Sequence, residues 1–180
     1  MCIMLAVFMG KVLKKKTAVA GDEVTYSLML RQMQKASAIQ HKGIASRHAY
    51  SMDGIDYYCG IRDEDIGILR QKYDVIILDI SFENTFDNTN VTFARMVSRL
   101  SACDEKILAG SMLPWKSREC EKKMERIERF LDIRGLKMVT LAACDKEAVS
   151  IIKKHGVEVV LIPFERNPFV ISGENLRSFL

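Results

Sequence analysis

The sequence lacks the cysteine patterns that would give it a metal site or a disulfide framework. Its 180 residues contain five cysteines, an odd number scattered along the chain. No two of them are spaced as Cys-x-x-Cys, the spacing shared by zinc sites and redox motifs. Such cysteine usage is typical of a reducing compartment, so we expect a cytoplasmic protein.

Long apolar runs are also missing. Residues 1–9 are almost wholly apolar, but this run is far shorter than the ~20 residues that span a bilayer. A signal peptide carries positive charge before its apolar region, whereas the lysines here come after it. At the other terminus, residues 174–180 are too few to form an amphipathic membrane anchor. We therefore expect a buried N-terminal helix and no membrane association.

The charge pattern gives no signal for nucleic-acid binding. The net charge is only +4, and the densest basic run, Lys14-Lys15-Lys16, has no aromatic residues among its lysines. The end of a solvated helix explains such a run better than a nucleic-acid surface does. The three histidines are dispersed, with no acid or nucleophile at motif spacing, and we identify no catalytic residue.

A complete phosphate-binding loop is absent from these residues. Such a loop needs glycines, whose backbone N–H groups crowd round a phosphate, and a lysine followed by serine or threonine. The best local candidate is Gly10-Lys11-Val12. It fails because Val12 has no hydroxyl for magnesium and because Leu5 stands in the place of the first glycine. We therefore expect no ATPase activity from these 180 residues alone.

The residues that are present predict one α/β domain over residues 1–180. Apolar residues make up 48% and charged residues 28% of the chain, as in soluble globular proteins. Short runs of Val, Ile and Leu alternate with longer amphipathic stretches, which indicates a mostly parallel sheet flanked by helices. Asp53-Gly54 between two alternating segments predicts a small β-hairpin.

The periodicity places the individual elements as follows. Helices are predicted over residues 1–13, from Asp22 through Met33, from Asp63 through Leu69, around Phe93 to Leu100, and over 115–131 and 145–155. Strands are predicted over residues 17–20, 48–51, 55–59, 74–80, 106–109, 136–142 and 157–162.

Asp79 is the most informative candidate for a binding site. It ends the run Val75-Ile76-Ile77-Leu78, whose lack of alternation predicts an interior strand covered on both faces. An aspartate at the carboxyl end of such a strand resembles a Walker B element, whose carboxylate holds magnesium through water. It could equally cap the next loop through Ser81 or nearby amides, and the motif alone leaves both interpretations open.

The succession of elements resembles that of the MinD/ParA branch of the P-loop ATPases, taken from just after the P-loop. Residues 1–20 match the family's buried helix, lysine-rich turn and second strand. Residues 101–109 are similar to a later strand of the family, and Leu161-Ile162-Pro163-Phe164 to its last strand and the following loop. The resemblance covers nearly the whole chain, although each motif is weak.

The resemblance implies a nucleotide site that these residues do not complete. It places Asp79 near magnesium, through water, and Pro163 and Phe164 against the base of ATP. The family's first strand neighbours the Walker B strand, so its absence would leave a gap in the sheet. Either the P-loop lies upstream of an internal methionine, which the opening on a buried helix favours, or the protein is a degenerate relative.

Two functions remain open at this level. The first is a regulatory or scaffolding protein of the MinD/ParA type, without ATPase activity in this form; relatives pair across nucleotide, which implies a homodimer or another protein partner. The alternative is a protein-interaction module on an α/β scaffold, which binds through an exposed sheet edge or an apolar patch.

Overall fold

The computed structural model describes residues 1–21, 37–39, 44, 48–80, 90–111, 113–133, 136–141, 146–162 and 165–176. The predicted helix from Asp22 through Met33 lies outside these residues. The chain divides into two compact units. Unit 1 comprises residues 1–88 and 167–171, and unit 2 comprises residues 89–166 and 172–180. The expectation of one domain over residues 1–180 stays a prediction.

Unit 1 contains two described helices and five strands. In chain order these are α1 (Cys2–Val7, continued by a π-helical turn, Phe8–Val12), β1 (Thr17–Gly21), β2 (Ser37–Ala38), β3 (His48–Met52), β4 (Ile55–Cys59), α2 (Asp63–Lys72) and β5 (Val75–Asp79). Each corresponds to a predicted element except the short strand β2, which the sequence pattern did not indicate.

The five strands form one sheet in the order β2-β3-β4-β1-β5. Strand β1 lies parallel to both β4 and β5, whereas β3 is antiparallel to its neighbours β2 and β4. The predicted hairpin joins β3 to β4. Its turn residues Asp53 and Gly54 have φ angles of 55° and 79°, the left-handed pair that a type I′ turn requires. The hairpin prediction is confirmed.

Both faces of this sheet are covered. On one face α1 packs on a cluster that includes Ile55, Tyr57 and Ile77. On the other face α2 packs on a cluster that includes Tyr58 and Leu69. Successive side chains of a strand point to opposite faces, so an unbroken apolar run supplies both clusters at once. Strand β5 does so, as its sequence predicts.

The prediction that β5 is an interior strand is wrong in one respect. Its two faces are covered, but among the described residues it is the last strand of the sheet and pairs only with β1. The sequence pattern reports the burial of faces, which a terminal strand can share with a central one.

Unit 2 contains a second, wholly parallel sheet. Its described elements are α3 (Asn90–Ser101), β6 (Ile107–Ala109), α4 (Pro114–Glu128), β7 (Lys137–Leu141), α5 (Lys146–Lys154), β8 (Glu158–Ile162) and α6 (Gly173–Leu176). The strands are ordered β6-β7-β8. Helix α4 buries Cys120, Met124 and Ile127, the face that its periodicity predicts.

The predicted fold class is confirmed. Among the described strands four pairings are parallel and two are antiparallel, and helices pack against the sheets. Across the described ranges, no helix combines the length and apolarity needed to cross a membrane.

Candidate functional site

Asp79 lies at the carboxyl end of β5. In the strand register Asp79 is paired with Gly21, the last residue of β1. Gly21 is paired in turn with Cys59, the last residue of β4. The N–H of Gly60 donates to the carbonyl of Gly21 at 2.8 Å. The Asp79 side chain is half-buried. Open α/β sheets bind their ligands at the carboxyl ends of their strands, so Asp79 stands at the edge where a Walker B carboxylate is expected.

The other predicted site residues cannot be placed beside it. Pro163 and Phe164 lie outside the described residues, and so does Ser81, the alternative partner of the carboxylate. Whether the predicted adenine and magnesium residues lie together is therefore not tested. Their roles in nucleotide binding stay predictions.

Gly10 and Lys11, the local candidate for a phosphate loop, both have structural roles. Lys11 Nζ lies 2.6 Å from Asp53 Oδ2, so that it ties the π-helical turn to the tip of the hairpin. A Cβ atom added at Gly10 would lie 2.9 Å from Ile55 Cγ1, closer than unstrained side chains approach. Gly10 is thus needed for close packing of helix on strand, and Lys11 holds a carboxylate of the protein itself.

The described residues do not fit a complete magnesium–nucleotide site. The strand ends at this edge offer one carboxylate, that of Asp79, beside Gly21 and Cys59. Within the ranges that the structure describes, no group of three or more His, Cys, Asp or Glu side chains could hold a metal ion. A phosphate cradle needs clustered glycine amides and a free lysine, which Lys11 does not supply. We therefore assign no nucleotide chemistry to the described residues at this edge of the sheet.

A buried chain of hydroxyl groups lies on the α2 side of the sheet. The Tyr73 hydroxyl donates to Asp56 Oδ2 at 2.5 Å, and the hydroxyl oxygens of Tyr58 and Tyr73 are 2.6 Å apart. A phenol has one proton, so Tyr58 must be the donor to Tyr73. Lys16 Nζ lies 5.3 Å from the centre of the Tyr73 ring. These hydrogen bonds link β4 to Tyr73, which lies two residues before β5.

Burial and a neighbouring negative charge hold these tyrosines in their neutral form. Burial, more than any other cause, raises the pKa of Tyr58 to about 12; the hydrogen bond with Tyr73 acts in the opposite direction, and the charge of Asp56 adds to the rise. Burial and the hydrogen bond to Asp56 also raise the pKa of Tyr73 well above its ordinary value. Both phenols therefore stay protonated at physiological pH, and their hydrogen bonds have a structural role.

The raised pKa values predict a loss of stability at alkaline pH. Tyrosine in an unfolded chain ionises near pH 10, whereas Tyr58 ionises at about 12 when folded. The stabilisation is therefore complete below pH 10 and is lost as the pH rises through 12. We expect the urea midpoint of the wild type to fall more steeply across this interval than that of Tyr58→Phe. Equal slopes would contradict the assignment.

This network differs from the predicted site in position and in kind. Asp56 is level with Ala18 in the β1–β4 register, three residues before the Gly21 level of Asp79, which corresponds to roughly 10 Å along the sheet. The sequence pattern assigns no role to Asp56. The signal that could have revealed the network is Asp56 and Tyr58, two polar residues on one face of a buried strand.

The acidic run that opens α2 (residues 63–65) includes a capping residue, Asp65. The N–H of Arg62 donates to Asp65 Oδ2 at 3.0 Å, and Arg62 Nε lies 3.6 Å from the same oxygen. Asp65 is fully buried. A carboxylate in the first turn of a helix satisfies amides that have no partner within the helix. This geometry indicates that Asp65 stabilises the start of α2.

The comparison with solved structures agrees with the fold inferred from the sequence. The chain is similar to MinD in the MinC:MinD cell division protein complex of Aquifex aeolicus, with a TM-score of 0.56 and 13% sequence identity. The similarity covers 91% of this chain and 76% of that one. No family model matches the sequence, and no curated protein matches it. At this identity the similarity establishes a MinD-like fold and nothing about activity.

Proposed function

We propose that this chain is a regulatory or scaffolding protein of the MinD/ParA type that acts by binding other proteins and does not hydrolyse nucleotide in this form. The observation that supports it most is the combination of a MinD-like fold with an incomplete phosphate site. The solved neighbour is itself part of a complex between two proteins. Asp79 remains the proposed magnesium-side residue, with Pro163 and Phe164 proposed beside the base.

The proposal predicts very weak nucleotide binding. When residues 1–180 are titrated with ATP and magnesium, we expect no saturable binding below about 1 mM, because the described carboxyl edge offers one carboxylate and no phosphate cradle. Isothermal titration calorimetry measures this directly. Asp79→Asn serves as the matched control and should give the same result. Tight, magnesium-dependent binding that Asp79→Asn abolishes would refute the proposal.

A second candidate, a pure protein-interaction module, is favoured by the edge of β5. The N–H of Val75 donates to the Lys16 carbonyl at 3.2 Å. In a parallel ladder the bonding direction alternates, so Ile77 also faces β1, while the backbone groups of Ile76 and Leu78 face the other way. Among the described residues no strand pairs with that side. A free edge is a template for a strand of another chain.

The surroundings of this edge limit what could pair with it. Side chains of β5 enter the core on both faces, with Ile77 in one cluster and Ile76 and Leu78 packed against the other. A strand added here would extend both layers, so it would need to be apolar on both faces. Under this second candidate, Asp79→Ala would change stability without changing any response to nucleotide.

A further inference from the structure

The chain returns to unit 1 at residues 167–171, and this segment begins with a compact turn. The side-chain oxygen of Asn167 accepts from the N–H of Phe169 at 3.1 Å, and its carbonyl accepts from the N–H of Val170 at 3.0 Å. Asn followed by Pro favours such turns because the asparagine side chain bonds to its own backbone and proline fixes φ. The segment therefore has a local shape of its own.

Alternate side chains of the segment enter the core of unit 1. Phe169 is 4% exposed and Val170 is 59% exposed, while Ile171 packs against the same cluster as Phe169. The Phe169 ring stands at 60° to the Tyr57 ring with 6.2 Å between their centres. We use the term segment groove for the surface that contacts Phe169 and Ile171. It holds an aromatic side chain and, two residues later, a branched aliphatic one.

Within unit 2, hydrogen bonds to the Glu165 carboxylate join the two ends of the loop that carries this segment. Glu165 Oε1 accepts from the Ser172 N–H at 2.7 Å, from the Ser172 hydroxyl at 2.8 Å and from the Asn175 amide at 2.8 Å. These hydrogen bonds lower the pKa of Glu165, so that the carboxylate stays charged. A tethered loop acts as an intramolecular ligand, with an effective concentration on the order of 1 mM for short tethers.

One polar group of the segment groove, the Tyr57 hydroxyl, has no hydrogen-bond partner among the described residues when residues 167–171 are in place. Tyr57 is 1% exposed, and its hydroxyl has no hydrogen-bond partner among the described residues. Burying a donor without an acceptor is unfavourable. A bound segment that offered an acceptor to this hydroxyl would escape that penalty. A segment of similar shape that also carries such an acceptor would therefore bind this surface more tightly than residues 167–171 do.

We propose that the segment groove is a binding site for an extended segment of a partner protein, and that residues 167–171 are its intramolecular occupant. The partner segment carries an aromatic residue followed two positions later by a branched aliphatic residue, because that is the chemistry of Phe169 and Ile171 in place. It binds by displacing the internal segment. This proposal is independent of nucleotide binding and of the β5 edge.

The test supplies the segment as a separate peptide to the full chain. A double variant, Phe169→Ala with Ile171→Ala, removes both anchors, and a labelled peptide of residues 165–173 is followed by fluorescence anisotropy. We expect saturable binding, about tenfold or more tighter than to the wild type, whose own segment competes. A peptide with alanine at both anchor positions should bind roughly 100-fold more weakly. Val170→Ala is the matched control and should behave as the wild type.

Two further measurements bear on the details. Tyr57→Phe in the double variant should strengthen peptide binding by about fivefold, because no hydroxyl is then buried without an acceptor. Unchanged affinity would overturn the role given to this hydroxyl. If the double variant fails to fold, Phe169→Leu with Ile171→Val keeps the core apolar, and the same order of affinities is expected.

Clear outcomes would overturn the proposal as a whole. Absence of saturable binding to a folded variant would do so, and so would equal binding of the alanine peptide. A wild-type dimer that forms with rising concentration and is lost in Phe169→Ala would show that the occupant is a second copy of this chain, which also contradicts a partner of another kind.

Discussion

Replacing Tyr73 by phenylalanine is expected to lower the free energy of unfolding by about 2–4 kcal/mol. The change removes the hydroxyl that donates to Asp56 at 2.5 Å and lies 2.6 Å from that of Tyr58. Hydrogen bonds to charged groups contribute about 1.5–3 kcal/mol and neutral ones about half as much. The ring itself stays, so packing against Tyr58 and the contact with Lys16 are preserved. Urea denaturation followed by circular dichroism measures the loss.

The matched control is the same substitution at Tyr57. This hydroxyl is buried and has no partner among the described residues, so Tyr57→Phe should leave stability unchanged or raise it by up to about 1 kcal/mol. The two variants remove the same atom from neighbouring parts of one unit. If both lost the same stability, the hydroxyl chain would not have the role that its geometry gives it.

Replacing Gly10 by valine is expected to lower stability by about 2–3 kcal/mol. A Cβ atom at this position would lie 2.9 Å from Ile55 Cγ1 and 3.3 Å from its Cδ1. Ile55 is fully buried, so neither the helix nor the strand can move without disturbing the core. Chemical denaturation gives the magnitude. The loss should be smaller when Ile55→Ala provides room, since two residues in contact do not act additively.

Gly67 provides the opposite control. It lies on the exposed side of α2, and a Cβ atom there would meet nothing within 4 Å. Gly67→Ala should therefore raise stability by about 0.5–1 kcal/mol, because alanine restricts the unfolded chain and favours the helix. A stable Gly10→Val variant would show that this glycine is not required for packing, and its place beside Lys11 would need another explanation.

The parts of the fold that could be predicted from the sequence are those with strong local patterns. Asp53-Gly54 specifies its turn by backbone conformation, which neighbours in space scarcely alter. The unbroken run from Val75 to Leu78 indicates a strand covered on both faces. The spacing of Met124 and Ile127 marks the inner face of α4. In each case the information lies within a few residues of the element itself.

The parts that could not be predicted depend on which segments meet. Periodicity does not say which strand ends a sheet, so the edge position of β5 was missed. The bond between Asp56 and Tyr73 joins residues 17 positions apart, and the return of Phe169 to unit 1 spans a much longer separation. Even less of the candidate site could be predicted. The sequence pattern puts Asp79 at the carboxyl end of its strand, but nothing in the neighbouring sequence reveals what surrounds it.

Amide hydrogen exchange along β5 tests most directly whether the sheet ends there. Ile77 and Asp79 donate to β1 in this register, whereas the N–H groups of Ile76 and Leu78 point away from it. We predict protection that alternates along the strand, with slow exchange at Ile77 and Asp79 and fast exchange at Ile76 and Leu78. Equally slow exchange at all four residues would show that another strand already covers this edge, and would contradict the account.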